Sequence, residues 1–178
     1  MRSFAAAVLA MAAWWCAGSA SAQQGTYFGL GYGSVSYDRE DAFPTAAPAV
    51  LAFKLGREIN RNLAFEARAG FGVGDDTVSV LGVPVDVRID HYFGLYGKGT
   101  LPLSESFSVY GLIGVIAGKV TARGFGYSAS SSDTALSYGL GIDLGVSRHA
   151  GLTFEWVELF EGTGYQVEAA SLGFVYRY

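Results

Sequence analysis

Leu63-Ala-Phe-Glu-Ala-Arg-Ala-Gly-Phe71 decides the fold. In an extended chain Leu63, Phe65, Ala67, Ala69 and Phe71 share one face, while Ala64, Glu66, Arg68 and Gly70 share the other. A period of two over nine residues marks a strand with one apolar and one polar side. The same pattern recurs outward from this stretch. In Val85–Leu95 the apolar face is Val85, Val87, Ile89, Phe93 and Leu95, against Asp86, Arg88, Asp90, Tyr92 and Gly94. Tyr138, Leu140 and Ile142 stand against Ser137, Gly139, Gly141 and Asp143, and at the end Leu172, Phe174, Tyr176 and Tyr178 stand against Ser171, Gly173, Val175 and Arg177.

Eight such segments are read, at 26–37, 49–57, 63–73, 84–100, 107–119, 134–146, 151–159 and 165–178. Their connections alternate in character. Segments 57–62, 101–106 and 147–150 are short turns, whereas 38–48, 74–83, 120–133 and 160–164 are read as mostly longer loops rich in Gly, Ser, Asp and Pro. Three short turns on one side and four loops on the other is the layout of an even-stranded transmembrane barrel with its ends in the periplasm. The fold class expected is therefore all-β: an eight-stranded antiparallel transmembrane up-and-down β-barrel. A soluble sandwich also shows period-two strands. The barrel is preferred because the polar face is rich in glycine, which suits a cramped lumen, and because aromatics gather near strand ends. Tyr27, Phe28, Phe107, Tyr176 and Tyr178 are assigned to a girdle at the periplasmic rim, and Tyr37 and Phe71 to the opposite one.

Composition agrees. Hydrophobic residues make up 51% of the chain, yet after Ala22 they never form a run long enough to span a membrane as a helix. A net charge of −4 offers no basic patch for nucleic acid. Arg2, the uncharged apolar run Phe4–Ala17 and the A-x-A site Ala20-Ser21-Ala22 read as a secretory signal peptide cleaved after Ala22, making 1–22 the leader and 23–178 a single barrel domain. Acylation of Cys16 is the alternative, but Trp14 and Trp15 precede it where lipoprotein signals carry small residues. Without the leader no cysteine remains, which excludes disulfides and thiolate metal sites.

Tyr96-Gly-Lys-Gly-Thr-Leu-Pro-Leu-Ser-Glu-Ser-Phe-Ser-Val-Tyr-Gly111 resembles the central hairpin of the small outer-membrane β-barrel (porin-like, OmpA/OmpX-like) family of Gram-negative bacteria. The ending Ser171–Tyr178 and the turn Leu55–Glu66 resemble that family too, although Glu58 stands where an aromatic or aliphatic residue is common. The resemblance implies an outer-membrane location, with lipid and lipopolysaccharide as surroundings. It also implies an insertion signal for the barrel-assembly machinery at Leu172, Phe174, Tyr176 and Tyr178, with Tyr in place of the more usual terminal Phe.

The alternation turns Lys54, Glu66, Arg68, Arg88, Asp90, Lys98, Asp143, Glu155 and Arg177 inward, a nearly neutral set. An eight-stranded barrel is just wide enough to be filled by side chains, and unpaired charges in a narrow lumen are costly. The expectation is a lumen plugged by a charged network, in a protein with a structural, envelope or surface-interaction role. A small porin-like channel is the alternative and a lipid-modifying enzyme a remote one. Lipid A deacylases of this size class carry His followed two positions later by Ser, but His91 precedes Tyr92-Phe93 and His149 precedes Ala150-Gly151. No catalytic, cofactor or metal site is assigned, and Asp75-Asp76 reads as a solvated pair. His91 falls on the lipid face, which a bulge or a one-residue slip would change. Residues 109–117 are ambiguous, and Leu112 and Ile116 would form an apolar plug if inward. The segment 120–133, with Arg123, Phe125 and Tyr127, is the candidate contact for a surface ligand.

Overall fold

The computed structural model describes residues 25–39, 47–74, 76–80, 83–124, 127–162 and 165–178. Cys16, the cleavage residues Ala20 and Ala22, and Asp75 lie outside the described residues. The described chain is strand and turn: β1 Thr26–Arg39, β2 Ala49–Glu58, β3 Leu63–Gly72, β4 Asp76–Val80, β5 Val83–Pro102, β6 Phe107–Gly124, β7 Tyr127–Gly145, β8 Ala150–Gly162 and β9 Tyr165–Arg177. Sequential neighbours pair antiparallel, and β1 pairs with β9. The ring closes where Leu63 to Phe71 of β3 runs against Gly99 back to His91 of β5. β4 pairs with β5 alone and continues the β3 side of the wall past the ring. The result is a closed eight-stranded antiparallel barrel.

One end is made of three copies of a single turn. Ile59 N–H donates to Leu63 O, Leu103 N–H to Phe107 O and Val146 N–H to Ala150 O, at 2.8–2.9 Å. In each copy the residue after the first donor folds its side chain back as an acceptor. Asn60 Oδ1 takes Asn62 and Leu63 N–H, Ser104 Oγ takes Ser106 N–H, and Ser147 Oγ takes His149 and Ala150 N–H. Asn and Ser are the residues that cap their own backbone in this way. Adjacent turns are stitched by Thr100 N–H to Asn62 O, Gly145 N–H to Ser106 O and Arg177 N–H to His149 O.

The far end differs from the loops expected there. β4 occupies 76–80 within the segment read as a loop at 74–83. Residues 120–124 and 127–133 of the next segment are the paired continuation of β6 and β7, Val120 opposite Ser131 and Gly124 opposite Tyr127, while Phe125 lies outside the described residues. The segment's Thr and Ser residues hide a strand from composition, because it lacks the apolar–polar alternation that marks the rest of the wall. β8 and β9 likewise run through to Gly162 and from Tyr165.

Alternation sorts the wall into two faces. Leu63, Phe65 and Phe71 of β3 are exposed on the outside with Leu30, Phe53, Phe93, Ile113, Leu140 (65% exposed), Phe154 and Leu172. Nine strand residues tilted as in membrane barrels cover about 20 Å of height. Phe28, Tyr176 and Tyr178 cluster outside at the turn end, with ring centroids 5.3–6.1 Å apart. Tyr27 is a correction: assigned to that girdle, it is 3% exposed and points into the lumen.

Tyr27 belongs to a repeated device. Tyr27, Tyr92, Tyr96 and Tyr110 are buried, and each stands directly opposite a glycine of the next strand: Gly56, Gly70, Gly114 and Gly141. The rings lie where the missing side chains would be. A Cβ on Gly56 would sit 2.1 Å from the Tyr27 ring, and one on Gly70 2.1 Å from Tyr92. Gly99 faces outward with nothing within 4 Å of its Cβ position. Gly56→Val or Gly70→Val should therefore lower unfolding stability in detergent micelles by about 1–3 kcal/mol through overpacking. Gly99→Ala should leave the urea midpoint essentially unchanged.

Candidate functional site

Seven charged side chains meet inside the barrel. Glu66 (1% exposed) accepts the Tyr27 hydroxyl on Oε1 at 2.6 Å, and Arg68 Nε on Oε2 at 2.8 Å. The Arg68 guanidinium reaches across the lumen to Glu155, with Nη2 2.9 Å from Oε1 and Nη1 3.3 Å from Oε2. Glu155 Oε1 also accepts Lys54 Nζ at 3.0 Å and the Tyr110 hydroxyl at 2.6 Å, and Lys54 donates to Thr153 Oγ1 at 3.2 Å. Toward the turn end Lys98 Nζ bonds Asp143 Oδ2 at 3.2 Å and lies 3.7 Å from Glu66 Oε1. Arg177 Nη2 shares Asp143 Oδ2 at 3.1 Å. Lys98 Nζ also sits 3.8 Å from the Tyr110 ring centroid, and Arg68 Cζ 4.9 Å from that of Tyr96.

The strands explain the convergence. Glu66 and Arg68 are two apart on β3 and so share a face. Arg68 is directly opposite Lys54 on β2, while Glu155 comes from β8 on the other side of the ring. Only closure brings β8 to face β3. A bidentate guanidinium bridging two carboxylates is the geometry in which buried charges recover most of their lost hydration.

Two of the nine residues expected here are elsewhere. β5 carries a bulge between Ile89 and His91. Ile89 is inward before it and Tyr92 after it, so the residues preceding the bulge change face. Arg88 is exposed on the outer side. Asp90 pairs with Lys119 Nζ at 3.8 Å and accepts the Thr121 hydroxyl at 2.8 Å. Both partners alternate with the lumen-facing Leu112 and Ile116 on β6, so Asp90 faces outward with them. An inserted residue inverts everything beyond it. His91 keeps the outward place that alternation assigned it, its ring 5.8 Å from Phe93.

The far half of the lumen is apolar. Ile116 (1% exposed) points inward there and packs with Val35, Val50, Val157 and Leu159, and the inward Leu112, opposite Lys98, joins the same cluster from the level of the charges. Between this layer and the charges lies a cavity of about 40 Å³, room for a few water molecules. Tyr96 closes it, its hydroxyl donating to Ser137 Oγ at 3.0 Å. At the turn end a pocket of about 70 Å³ is lined by Lys98, Asp143 and Arg177. The residues that sequence reasoning missed in the network are Tyr27, Tyr110, Thr153 and Ser137. Their signal was available, since each falls in phase with an inward glycine or charge on its own strand.

His149 lies in a turn, 6.1 Å from Tyr176, while His91 is at the far end of the wall. The terminal alternation places Leu172, Phe174 and Tyr178 outside.

A family model described as outer membrane protein beta-barrel domain matches residues 3–178. No curated protein matches by sequence. Among solved structures, the attachment invasion locus protein Ail of Yersinia pestis is 20% identical, with 88% of this chain and 99% of that one covered and a TM-score of 0.65. A second Ail structure, in complex with the heparin analogue sucrose octasulfate, is 19% identical over the same shares, at 0.61. Neisserial surface protein A is 10% identical over 86% of this chain and 97% of that one, at 0.65.

Removing Glu155 leaves two buried cations, Arg68 and Lys54, without their shared partner. Glu155→Ala should cost about 3–5 kcal/mol in urea unfolding of the micelle-bound barrel. Glu155→Ala with Lys54→Met should recover part of that loss, which a double-mutant cycle reads directly.

Proposed function

Because the chain belongs to the outer membrane protein beta-barrel domain family, we propose that it serves as an envelope barrel with a packed lumen, whose far-end hairpins meet partners at the cell surface. The observation that carries this reading is the Glu66–Arg68–Glu155–Lys54 cluster, backed by the apolar layer of Ile116, Val157 and Leu159. A conduit needs continuous water, whereas here ions would cross a charged layer held by direct bonds and then a dry one. Desolvating an ion in such a layer costs several kcal/mol at least.

On this reading the turn end faces the periplasm. Short turns are the periplasmic feature of outer-membrane barrels, and the exposed alternation Leu172, Phe174 and Tyr178 suits recognition by the assembly machinery. The paired extension of β6 through Gly124 and of β7 from Tyr127 supports the surface role, because paired strands present their residues on a stiff arm. One structural neighbour was solved with a polyanionic heparin analogue. This chain carries a net charge of −4, which favours a partner that is not polyanionic.

Planar-bilayer recordings of the purified protein should show no reproducible single-channel steps, and regular steps would refute the packed lumen. Deleting 121–132 should leave folding intact and reduce adhesion of expressing cells to host surfaces or to one another. Unchanged adhesion removes the surface role from this hairpin.

A further inference from the structure

Two bulges mark the far-end edge of the outer apolar band, one in β5 between Ile89 and His91 and one in β8 between Glu158 and Phe160. Each is accompanied by an outward carboxylate. At the first, Asp90 is answered by Lys119 and Thr121. At the second, Glu158 stands directly opposite another acid, Glu168 of β9. Directly opposed residues have Cβ atoms about 4.5–5.5 Å apart, and like charges there are destabilising.

The pair is built into the wall. The Tyr138 hydroxyl donates to Glu158 Oε2, and the Trp156 indole N–H donates to Glu168 Oε2 at 3.2 Å. Each acid thus has one neutral donor. Glu158 is 3% exposed, and its Oε1 is buried with no hydrogen-bond partner. A buried carboxylate oxygen with nothing to bind keeps most of its desolvation cost. Among the described residues no Lys or Arg lies in an ion pair with either carboxylate.

We propose that Glu158 and Glu168 form a divalent-cation site of the calcium or magnesium class on the outer wall. Hard cations of this class take carboxylate oxygens and are commonly held by one or two carboxylates, with the remaining positions filled by other oxygens. No group of three or more His, Cys, Asp or Glu converges among the described residues. The chain therefore supplies two carboxylates, and phosphate oxygens of lipid head groups or water supply the rest. The position suits head groups, because Leu152, Phe154 and Trp156 are the exposed apolar residues of β8 and the acid follows two residues later.

Trp156 reports on the site directly. Terbium, a luminescent calcium surrogate, should give saturable indole-sensitised emission with the full chain in detergent, displaced by calcium. Glu158→Gln and Glu168→Gln should each weaken terbium at least tenfold while leaving the β circular dichroism unchanged. Asp90→Asn, at the compensated bulge, should leave it unaltered. Tighter binding in phosphatidylglycerol vesicles than in phosphate-free detergent assigns the remaining ligands to head groups, and equal binding assigns them to water. Absence of a saturable signal, or an affinity in both Gln variants equal to that of the unsubstituted chain, overturns the site. So does a Trp156 fluorescence change on acidification with none on adding calcium, which would mean that the two acids share a proton instead.

Discussion

With no water in the hydrocarbon layer to satisfy an open strand edge, the pairing of β3 with β5 is the contact on which the rest depends. Without it, eight strands would form a sheet with two bare edges. With it, every inward residue is forced toward an axis that is narrow at this strand number. The lumen is then a packing problem, and its solution is visible in the side chains. Large rings are set against glycines, and long charged chains against one another.

Those two solutions support each other. A tyrosine lying over a glycine of the next strand fills volume near the wall and sends its hydroxyl toward the axis. Tyr27 and Tyr110 use that reach to donate to Glu66 and Glu155, the two carboxylates clamped by Arg68. The aromatic faces meanwhile border Lys98 and Arg68. Four cations and three carboxylates are thereby held by direct hydrogen bonds in a low-dielectric interior, with Asp143 Oδ1 the network oxygen left without a partner among the described residues. The far-end layer of aliphatic residues needs no such partners.

Bulges set the limits of the simple pattern. In β5 the inserted residue moves Arg88 and Asp90 from the lumen to the outer wall, where Lys119 and Thr121 receive the carboxylate. In β8 the second bulge adjoins Glu158, which has an acid across from it instead of a base. Both lie where the wall leaves the apolar band, the height at which an outward charge first becomes tolerable. The structure thus ties chemistry on the outer surface to register defects, while the regular part of each strand is given over to lipid contact and lumen packing.

The amino-acid sequence by itself determined the strands, their two faces, the short-turn end and the family. The first three rest on a local period of two and on the short connections at 57–62, 101–106 and 147–150, the family on the stretches 55–66, 96–111 and 171–178, and local patterns survive in one dimension. It also placed Lys54, Glu66, Arg68, Lys98, Asp143, Glu155 and Arg177 on the polar faces. Which of these touch was decided by the tertiary structure, because Arg68 meets Glu155 only once β8 has been carried around the ring. The inward turn of Tyr27, the outward displacement of Asp90, the paired extensions of β6 to Gly124 and of β7 from Tyr127, and the opposed Glu158–Glu168 pair were settled there as well. Register and bulges depend on the partner strand, and no residue's own neighbours encode where that partner will lie.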